Sequence, residues 1–573
     1  MKKKLLAVVM SAVMALSLGA VPVFAEEAAD EVYEGDLSDI IPEETVTLDV
    51  YDQLANYSGE QIGWFAQVLL EKFNVKINII PDADGVYDTR MEQGDLGDIV
   101  IWGNDGDDYL QAVDKGMLFD WEEDDVLADY GPYIAAHMEK ALEKNRNLSG
   151  GTVYGFGHDV ATSASDISAF FYTWDLRFDL YQELGCPEIN TLDDMVGVLK
   201  QMQELCPTDD NGNKTYGVSL FSDWDGDMVM FVKSTATAFW GYDEFGIGLY
   251  DPDTGTYYPA LDEDGPYLQC LKFYNKLYQA GLLDPDSQTQ GYDGMSEDYQ
   301  NGTAFFNIFN WMGSGLYNTD SHVSEGKAMY PVKPNDAVPI VYGQNVYGSN
   351  RIWSIGENTE YPELCMAIIN WLCTPSGRLT SEYGPQGVCW DYNEEGNTCL
   401  TDLGLACKID ISTEMTDGYS GTFTDGSFQM NNTTWALDAT NLDSASGETY
   451  NYVNWASYDS TASSDIEQAW RDWSGADSVD EYLLKGDYII APGTTYSGAA
   501  RADELQVVWD QVTTTVKNGS WSAIYAESDE EFDSIVADMI SQAEDYGYAE
   551  CVEFQTNEAA LRHEAEEAAR ADG

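Results

Sequence analysis

Alternating strands and helices in the first hundred residues restrict the fold more than any other feature of this sequence. Residues 45–51 alternate apolar and polar side chains as a strand does, and apolar residues recur with helical spacing between 59 and 73. Two further apolar runs, at 75–80 and 98–102, predict the next strands. A strand, a helix and more strands at this spacing indicate βαβ units, and therefore an α/β fold with a largely parallel sheet.

Later segments add helices and one more strand. Thr191, followed by early acidic residues, predicts a helix N-terminus, and a helical pattern at 268–280 ends at Gly281. Residues 216–220 are predicted to form a strand. The remaining predicted helices lie at 361–372, 502–517 and 529–546.

The N-terminus has the three parts of a secretory signal peptide. Three lysines precede an apolar run at 5–18, and residues 23–25 place small side chains at the positions that precede a cut before Glu26. The first cysteine is Cys186, so no cysteine near the cut could carry a lipid, and no later stretch is apolar for the about 20 residues that a membrane helix needs. We expect a secreted protein, extracellular or associated with the cell surface, without a lipid anchor.

The charge of the chain limits its partners. Of 573 residues, 101 are acidic and 27 are Lys or Arg, which gives a formal net charge of −74. Such a chain repels phosphate backbones, so nucleic acid is a poor partner, and it also repels polyanionic sugars. The ordinary interpretation of the charge is a solvated exterior. Because 44% of the residues are hydrophobic, the chain is still expected to fold.

Recognisable signatures of enzymes and metal sites do not occur in the sequence. It contains no nucleophile elbow, zinc-protease motif, P-loop or dinucleotide fingerprint, and it has only four histidines. The nine cysteines include no C-x-x-C motif, and Cys389 and Cys399, which flank a turn-rich stretch, are the pair that the spacing favours for a disulfide. We assign no cofactor and no metal.

Several motifs resemble those of ABC-transporter solute-binding proteins, the family that includes maltose-binding protein. GDIVIWGND at 97–105 and AVDKGMLFD at 112–120 resemble a family signature, and GTVYGFG at 151–157 resembles the strand that enters its hinge. YGPQGVCW at 383–390 is similar to a loop of the large oligosaccharide binders of Gram-positive bacteria. Further similar motifs, in the family's order, lie at 170–175, 184–194, 281–287, 301–305 and 535–553.

The resemblance implies a periplasmic-binding-protein-like fold, in which two α/β lobes joined by a hinge enclose a ligand cleft. The predicted organisation is a signal peptide at 1–25, a flexible acidic leader at 26–44, the first part of the N-terminal lobe at 45–160, the main part of the C-terminal lobe at 161–340, a return to the hinge and lobe crossings at 341–410, an irregular insertion at 411–465, and C-terminal helices with an acidic tail at 466–573.

A sugar-binding site needs aromatic rings for the C–H faces of the sugar, and Asp, Asn, Gln or Arg for its hydroxyls. Trp102, Asn104 and Asp105 follow a predicted parallel strand, where ligands of open α/β sheets bind, and Asn56 and Tyr57 follow the first strand in the same way. The other candidates lie in predicted loops or at strand ends, and are Trp224, Asn310, Trp311, Tyr347, Arg351 and Trp390. For each aromatic candidate the alternative is a place in the core, where Trp240 and Trp371 are expected.

Residues 209–213, with the sequence DDNGN, resemble the calcium loop of the large alginate-binding relatives. The acidic pair that closes that loop is missing here, because Lys214, Thr215 and Tyr216 follow instead. A plain Asn-Gly turn is therefore favoured, and calcium binding stays open.

Taken together, these features favour a non-enzymatic, monomeric substrate-binding component of a bacterial ABC importer. It would capture a neutral oligosaccharide and deliver it to the permease subunits in the membrane. The alternative is a secreted glycoside hydrolase or a polysaccharide-binding surface protein, because counting cannot exclude a catalytic carboxylate pair among 101 acidic residues.

Overall fold

The computed structural model of the protein describes residues 37–55, 57–83, 85–161, 167–416, 418–426, 437–458, 464–496, 498–499 and 501–572. The predicted signal peptide, most of the predicted leader and Asn56 lie outside the described residues. So do 427–436 and 459–463 of the predicted insertion.

Strands and helices are numbered separately along the chain. The strands are β1 Val46–Asp52, β2 Gly59–Glu60, β3 Val75–Pro81, β4 Ile99–Trp102, β5 Phe156–Gly157, β6 Tyr172–Arg177, β7 Asp243–Glu244, β8 Gly248–Tyr250, β9 Tyr257–Pro259, β10 Phe306–Phe309, β11 Met329–Pro331, β12 Ile340–Tyr342, β13 Ile352–Ile355, β14 Trp390–Tyr392, β15 Thr398–Leu400 and β16 Ile489–Ala491. The helices are α1 Gly63–Phe73, α2 Val86–Gln93, α3 Asp107–Asp114, α4 Val126–Tyr130, α5 Pro132–His137, α6 Glu139–Leu148, α7 Phe178–Glu183, α8 Leu192–Leu205, α9 Met230–Trp240, α10 Pro266–Gln279, α11 Tyr292–Gln300, α12 Ser314–Tyr317, α13 Asp320–Ser324, α14 Pro362–Cys373, α15 Pro375–Tyr383, α16 Asp402–Ile409, α17 Phe423–Gly426, α18 Asp465–Ser474, α19 Val479–Leu483, α20 Asp503–Ile524, α21 Asp529–Tyr546 and α22 Tyr548–Asp572.

The chain forms two compact units, each built from two separate segments. The first unit comprises Met1–Thr162 and Val346–Asp459, and the second comprises Ser163–Asn345 and Ser460–Gly573. Both units combine strands with helices, as the α/β pattern of the sequence predicts.

The first unit is built on a six-stranded sheet with the order β2-β3-β1-β4-β13-β5. Its centre is parallel, because β1 pairs with β3 on one side and with β4 on the other, whereas β13 runs antiparallel to β4. Alternate residues of β1 enter two cores: Leu48 and Val50 pack with α1 and α14, and Tyr51 packs with Trp102 and α3. Helices therefore cover both faces of this sheet.

The irregular stretch after α16 completes the core of the first unit. Trp64 of α1 donates a hydrogen bond through Nε1 to the carbonyl oxygen of Phe423 over 2.9 Å, and the two rings stack. Met415, Tyr450 and Trp455 are buried in the same cluster. Apolar side chains thus hold a segment that has little regular secondary structure.

The second unit contains several smaller sheets surrounded by helices. Its three-stranded sheet has the order β10-β6-β11 and is antiparallel. Helix α20 packs against α10 and α21. The fully buried Asn275 of α10 donates through Nδ2 to the carbonyl oxygens of Ile524 and Ala526, over 3.2 and 2.8 Å, and so ties α10 to the end of α20.

Local signals place several helix ends. Thr191 precedes α8 and accepts a hydrogen bond from the Asp194 backbone, while the Asp194 carboxylate accepts one from the Thr191 backbone. This reciprocal pair confirms the predicted helix start. Gly281, beyond the end of α10, has a φ of +72°, which glycine adopts without strain.

Two local predictions are wrong. The segment at 216–220 is not a strand, because Tyr216 and Val218 form only isolated bridges, to Ala304 and Leu283. The nine cysteines all lie in the described residues and carry free thiols. The expected Cys389–Cys399 bridge is not formed: Cys399 lies opposite Asp391 in the β14–β15 hairpin, and the Cys389 thiol contacts that of Cys407.

In the part of the chain that the structure describes, no helix combines the length and the apolar character that crossing a bilayer requires.

Candidate functional site

Four aromatic side chains form a partly exposed surface on the second unit, and we call it the aromatic platform. It consists of Phe171, Trp224, Tyr292 and Trp311. The Trp224 and Tyr292 rings stack with centroids 5.0 Å apart, and Trp311 stacks on both at 5.9 and 6.0 Å. Phe171 joins the group through Phe309, which contacts Phe171 at 5.4 Å and Trp311 at 5.9 Å. Because Trp224 is 49% exposed and Phe171 is 44% exposed, the platform offers apolar surface to a ligand.

Trp311 follows strand β10, and a buried carboxylate fixes the turn that carries it. Asp175 of β6 accepts hydrogen bonds from Thr173 Oγ1 and from the Ser314 backbone nitrogen, each over 2.7 Å. Asn310 accepts from the Trp311 backbone nitrogen over 2.7 Å and donates to the carbonyl oxygen of Phe170. Both ends of the Asn310 side-chain amide are therefore engaged by the protein backbone, and the side chain helps to hold the backbone at Trp311.

Trp224 lies in the loop at 222–227, between the segment at 216–220 and helix α9. Its ring packs edge-on against Phe221, which is buried in the core of the unit, with centroids 4.9 Å apart. Tyr292, at the start of α11, stacks on Trp224 and also packs edge-on against Phe221, with centroids 5.7 Å apart. Two segments nearly 70 residues apart thus meet at the platform, as in sites built from several loops of one scaffold.

Charged groups border the Trp224 loop. Asp223 is exposed and accepts a hydrogen bond from the Tyr292 backbone nitrogen over 3.3 Å. Lys233 is only 5% exposed, is paired with Glu244 and lies close to Gly226. The Glu244 side chain is 39% exposed, so a carboxylate remains accessible beside the loop. Aromatic faces next to accessible carboxylates are the elements that bind a sugar's C–H face and its hydroxyls.

In the first unit, the structure brings three predicted site residues together around helix α6. Asp105 is 7% exposed, and its carboxylate lies 3.8 Å from Lys144 of α6. Burial raises the pKa of Asp105, and Lys144 partly opposes that effect. Lys144 also donates to the carbonyl oxygen of Ser349, near Arg351, and Lys140 of the same helix lies over the Tyr347 ring. Asp105, Tyr347 and Arg351 therefore share one neighbourhood.

Two other candidates of the first unit form ordinary turns. Asn104 is exposed, and its side-chain oxygen accepts a hydrogen bond from the Gly106 backbone nitrogen over 2.8 Å. Tyr57 is half-buried and donates to the carbonyl oxygen of Glu60 over 2.9 Å. Asn56 lies outside the described residues.

Trp102 and Trp390 are corrections to the sequence prediction. Trp102 is fully buried, packs edge-on against Tyr109 and donates through Nε1 to Ser354 Oγ over 3.2 Å. Its strand-end position does not expose it, because β13 pairs with β4 up to Trp102 itself. Trp390 is also fully buried, in the main core of the first unit. Neither ring offers a face to a ligand.

The structure fills the loop at 209–213 with internal hydrogen bonds. Asp209 accepts from the backbone nitrogens of Asn211 and Asn213 and from Thr303 Oγ1, over 2.7 to 2.9 Å. The Asp210 carboxylate lies 3.1 Å from Lys327 Nζ. These residues do not fit a calcium site, because N–H and O–H donors occupy the Asp209 oxygens and a lysine faces Asp210. Among the described residues, no three His, Cys, Asp or Glu side chains gather as metal ligands would.

Sequence reasoning missed two members of the platform. Tyr292 comes directly after Gly291 at a helix start, and no periodic pattern points to its stacking on Trp224. Phe171 lies within an aromatic run whose members look equivalent in sequence, although Phe170 is 2% exposed and Phe171 is 44% exposed. Strand alternation does not separate these two neighbours, because both precede β6 and every residue of β6 is buried.

Replacing Trp102 and Trp224 separately should distinguish a core residue from a surface ring. Trp102→Ala is expected to lower the free energy of unfolding by about 3–5 kcal/mol, because it leaves a large cavity. Trp224→Ala should lower it by only about 1 kcal/mol, since half of that ring is already in water. Urea titrations followed by circular dichroism measure both values. Equal losses would contradict the assignment of Trp102 to the core.

Asp175 should make stability depend on pH. Burial raises the pKa of Asp175 to about 6, so the folded protein binds this proton more tightly than the unfolded chain does. The stabilisation that the protonated Asp175 carboxyl group contributes is therefore fully present below about pH 4. It is lost as the pH rises through about 6. The free energy of unfolding of the wild type, relative to Asp175→Asn, should fall by about 2 kcal/mol between pH 4 and pH 6, and by about 3 kcal/mol over the whole titration.

Urea titrations at several pH values measure this difference. Asp533→Asn, which removes an exposed carboxyl group of the same unit, is the matched control and should show little change. A difference between wild type and Asp175→Asn that is constant from pH 4 to pH 6 would contradict the prediction.

Comparisons with known proteins identify the fold. No family model matches the sequence. A curated relative, lipoprotein LipO of Bacillus subtilis (strain 168), is 26% identical over 232 residues, and the match spans 38% of this chain but only 41% of the relative.

Three solved structures, each 15% identical, cover 90–91% of this chain, and the matches span 99% of those chains. They are the alginate-binding protein AlgQ2 without calcium ion (TM-score 0.59), an extracellular solute-binding protein from Bifidobacterium longum subsp. infantis (0.58), and the ABC-transporter substrate-binding protein FusA of S. pneumoniae with kestose (0.57). The predicted fold class is thereby confirmed: this chain has the fold of the extracellular solute-binding proteins of ABC transporters.

Proposed function

We propose that the protein is the substrate-binding component of an ABC importer, and that it captures a neutral oligosaccharide outside the cell and delivers it to a membrane permease. It acts as a monomer in this proposal and performs no chemistry on its ligand. The aromatic platform of Phe171, Trp224, Tyr292 and Trp311 is the observation that carries the proposal.

The platform suits a sugar for two physical reasons. Its rings offer exposed apolar area, and stacking a sugar's C–H face on such a ring removes that area from water. Asp223 directly precedes Trp224, and Glu244 pairs with Lys233 next to the same loop, so both carboxylates can accept hydrogen bonds from hydroxyl groups. The structural neighbours add support, since FusA is named as an ABC-transporter substrate-binding protein in complex with kestose. Another neighbour, from Bifidobacterium longum infantis, is named as an HMO-binding solute-binding protein associated with an ABC transporter.

A neutral ligand fits the charges around the platform. The exposed charged groups that border the Trp224 loop are the carboxylates of Asp223 and Glu244. Lys233 is buried and paired with Glu244, and the half-buried Lys517 lies close enough to the buried Asp225 carboxylate to favour its ionised form. A uronic acid would therefore meet like charge at the platform. An anionic sugar would need a basic partner. Lys144 and Arg351, which lie near each other in the first unit, are the candidates for that role.

The export of the protein belongs to the same proposal. The signal-peptide pattern and the absence of an early cysteine support a secreted or surface-associated protein that carries no lipid. The curated relative is named as a lipoprotein, so mass spectrometry of the exported protein is the direct check of this point.

The central experiment is binding without turnover. Neutral gluco-, galacto-, manno- and xylo-oligosaccharides are tested for a rise in the free energy of unfolding, which should be about 2.7 kcal/mol at 100 times the dissociation constant. The ligand is then recovered and analysed. Shortened sugar products would contradict the proposal and favour the alternative, a secreted glycoside hydrolase.

Removing single platform rings should weaken binding without unfolding the protein. Trp224→Ala and Trp311→Ala are each expected to reduce affinity by about 1–3 kcal/mol, the scale of one aromatic face taken out of water. Isothermal titration calorimetry measures the affinity. Tyr546→Ala, which removes a 45% exposed ring outside the platform, is the matched control and should bind as the wild type does.

Ionic strength should separate a neutral from an anionic ligand. Binding of a neutral oligosaccharide should change little between low and high salt, because no ion pair forms. A uronate held by Arg351 would bind less tightly as salt screens the pair. Because AlgQ2 is named for alginate, a polyuronate, oligouronates are titrated in parallel. Tight, salt-sensitive uronate binding would overturn the assignment of a neutral sugar.

A further inference from the structure

The loop that presents Trp224 carries an acidic residue at every second position. Asp223, Asp225 and Asp227 alternate with Trp224 and Gly226. In an acidic chain such residues are expected on a solvated surface. Here each of the three carboxylates accepts a hydrogen bond from outside the loop: Asp223 from the Tyr292 backbone at the start of α11, and Asp225 and Asp227 from two tryptophans of helix α20.

Asp225 is the central anchor of this loop. It is 6% exposed, and its Oδ2 accepts a hydrogen bond from Trp521 Nε1 over 2.7 Å, while its Oδ1 accepts one from the Met230 backbone nitrogen over 3.0 Å. The first partner belongs to helix α20 and the second begins helix α9. Both oxygens are therefore engaged, and a carboxylate is the side chain of this size that can satisfy both donors at once.

Asp227 makes a second connection to the same helix. Its Oδ1 accepts a hydrogen bond from Trp509 Nε1 over 2.9 Å. Trp509 is 1% exposed, and the Arg501 guanidinium lies 4.2 Å from its ring centroid. Trp509 and Trp521 are twelve positions apart along α20, so the helix holds the loop at two points.

These contacts leave Trp224 between two fixed neighbours. Its own ring is 49% exposed, so burial alone provides only part of the restraint on its position. Asp225 on one side is held by α20 and α9, and Asp223 on the other side is held by the Tyr292 backbone. Fixing the backbone in this way reduces the conformational entropy that the loop would lose when a ligand binds.

We propose that helix α20 is a positioning element for the platform, and that Trp521 and Trp509 act through Asp225 and Asp227 to hold Trp224 ready for its ligand. The inference rests on the proposed function for the identity of that ligand. It adds a role for residues in the C-terminal part of the chain that do not belong to the platform.

The test uses the intact protein and the variant Asp225→Asn. Trp521 and the Met230 backbone donate to different oxygens of Asp225, and an asparagine places an NH₂ group at one of these two positions, so one donor faces another donor. The matched control is Asp533→Asn, which also removes one negative charge from the second unit but at an exposed position outside the loop. Amide hydrogen exchange of the peptide covering 221–229 should be about tenfold faster in Asp225→Asn and unchanged in the control.

A coupling experiment distinguishes positioning from general stabilisation. The neutral hexaose that binds best among gluco-, galacto-, manno- and xylo-hexaoses is the probe, and its affinity is measured with Trp224 present and in a Trp224→Ala background. Asp225→Asn should weaken binding about tenfold in the first case and less than about twofold in the second, because the anchor acts through the ring.

Each result has a clear meaning. Equal losses in both backgrounds, or unchanged hydrogen exchange in Asp225→Asn, would overturn the positioning role. If Asp225→Asn does not fold, Trp521→Phe replaces it, since it removes the donor and keeps most of the buried ring. A wild-type protein that binds none of the four hexaoses would overturn the proposed function, whereas the exchange rates decide whether α20 anchors the loop.

Discussion

An aromatic ring that must remain half in water cannot be fixed by its own burial, and this constraint shapes the second unit. Polar contacts have to hold the backbone on either side of the ring, and those contacts need to be shielded from water to be worth more than about 1 kcal/mol. Buried carboxylates meet both requirements. Asp175 holds the turn that carries Trp311, and Asp225 holds the loop that carries Trp224.

The acidic composition therefore has a structural use besides its effect on solubility. An ionised carboxylate offers two oxygens to several donors, and turns supply backbone N–H groups that lack partners. Asp209 and Asp443 each collect several such donors, and Asp443 is 1% exposed. Burial opposes ionisation, and it raises the pKa of Asp52 to about 7. The solvent therefore meets less negative charge than the formal value of −74 implies, because some of the carboxyl groups are buried.

The sequence predicted elements well where the determining contacts are local. The strand and helix order of residues 45–102 appears in the structure, and Thr191 begins its helix with the expected cap. The site is harder to predict, because exposure depends on distant neighbours. Trp102 ends a strand, as a ligand-binding residue would, and only the pairing of β13 beside it explains why it is buried. Trp224 and Trp390 both lie in predicted loops, yet Trp224 is 49% exposed and Trp390 is fully buried.

The loop that carries Trp224 is anchored only when the two segments of the second unit come together. Trp224, Tyr292 and Trp311 all precede residue 345, whereas the partners of Asp225 and Asp227 lie in α20, nearly 300 residues further along the chain. Contacts of such sequence separation carry a larger entropic cost than local ones, because a long loop must close to form them. The rings can cluster without α20, since they touch one another directly. Their fixed orientation cannot arise without it, and the C-terminal segment of the unit thus completes the geometry of a surface to which it contributes no ring.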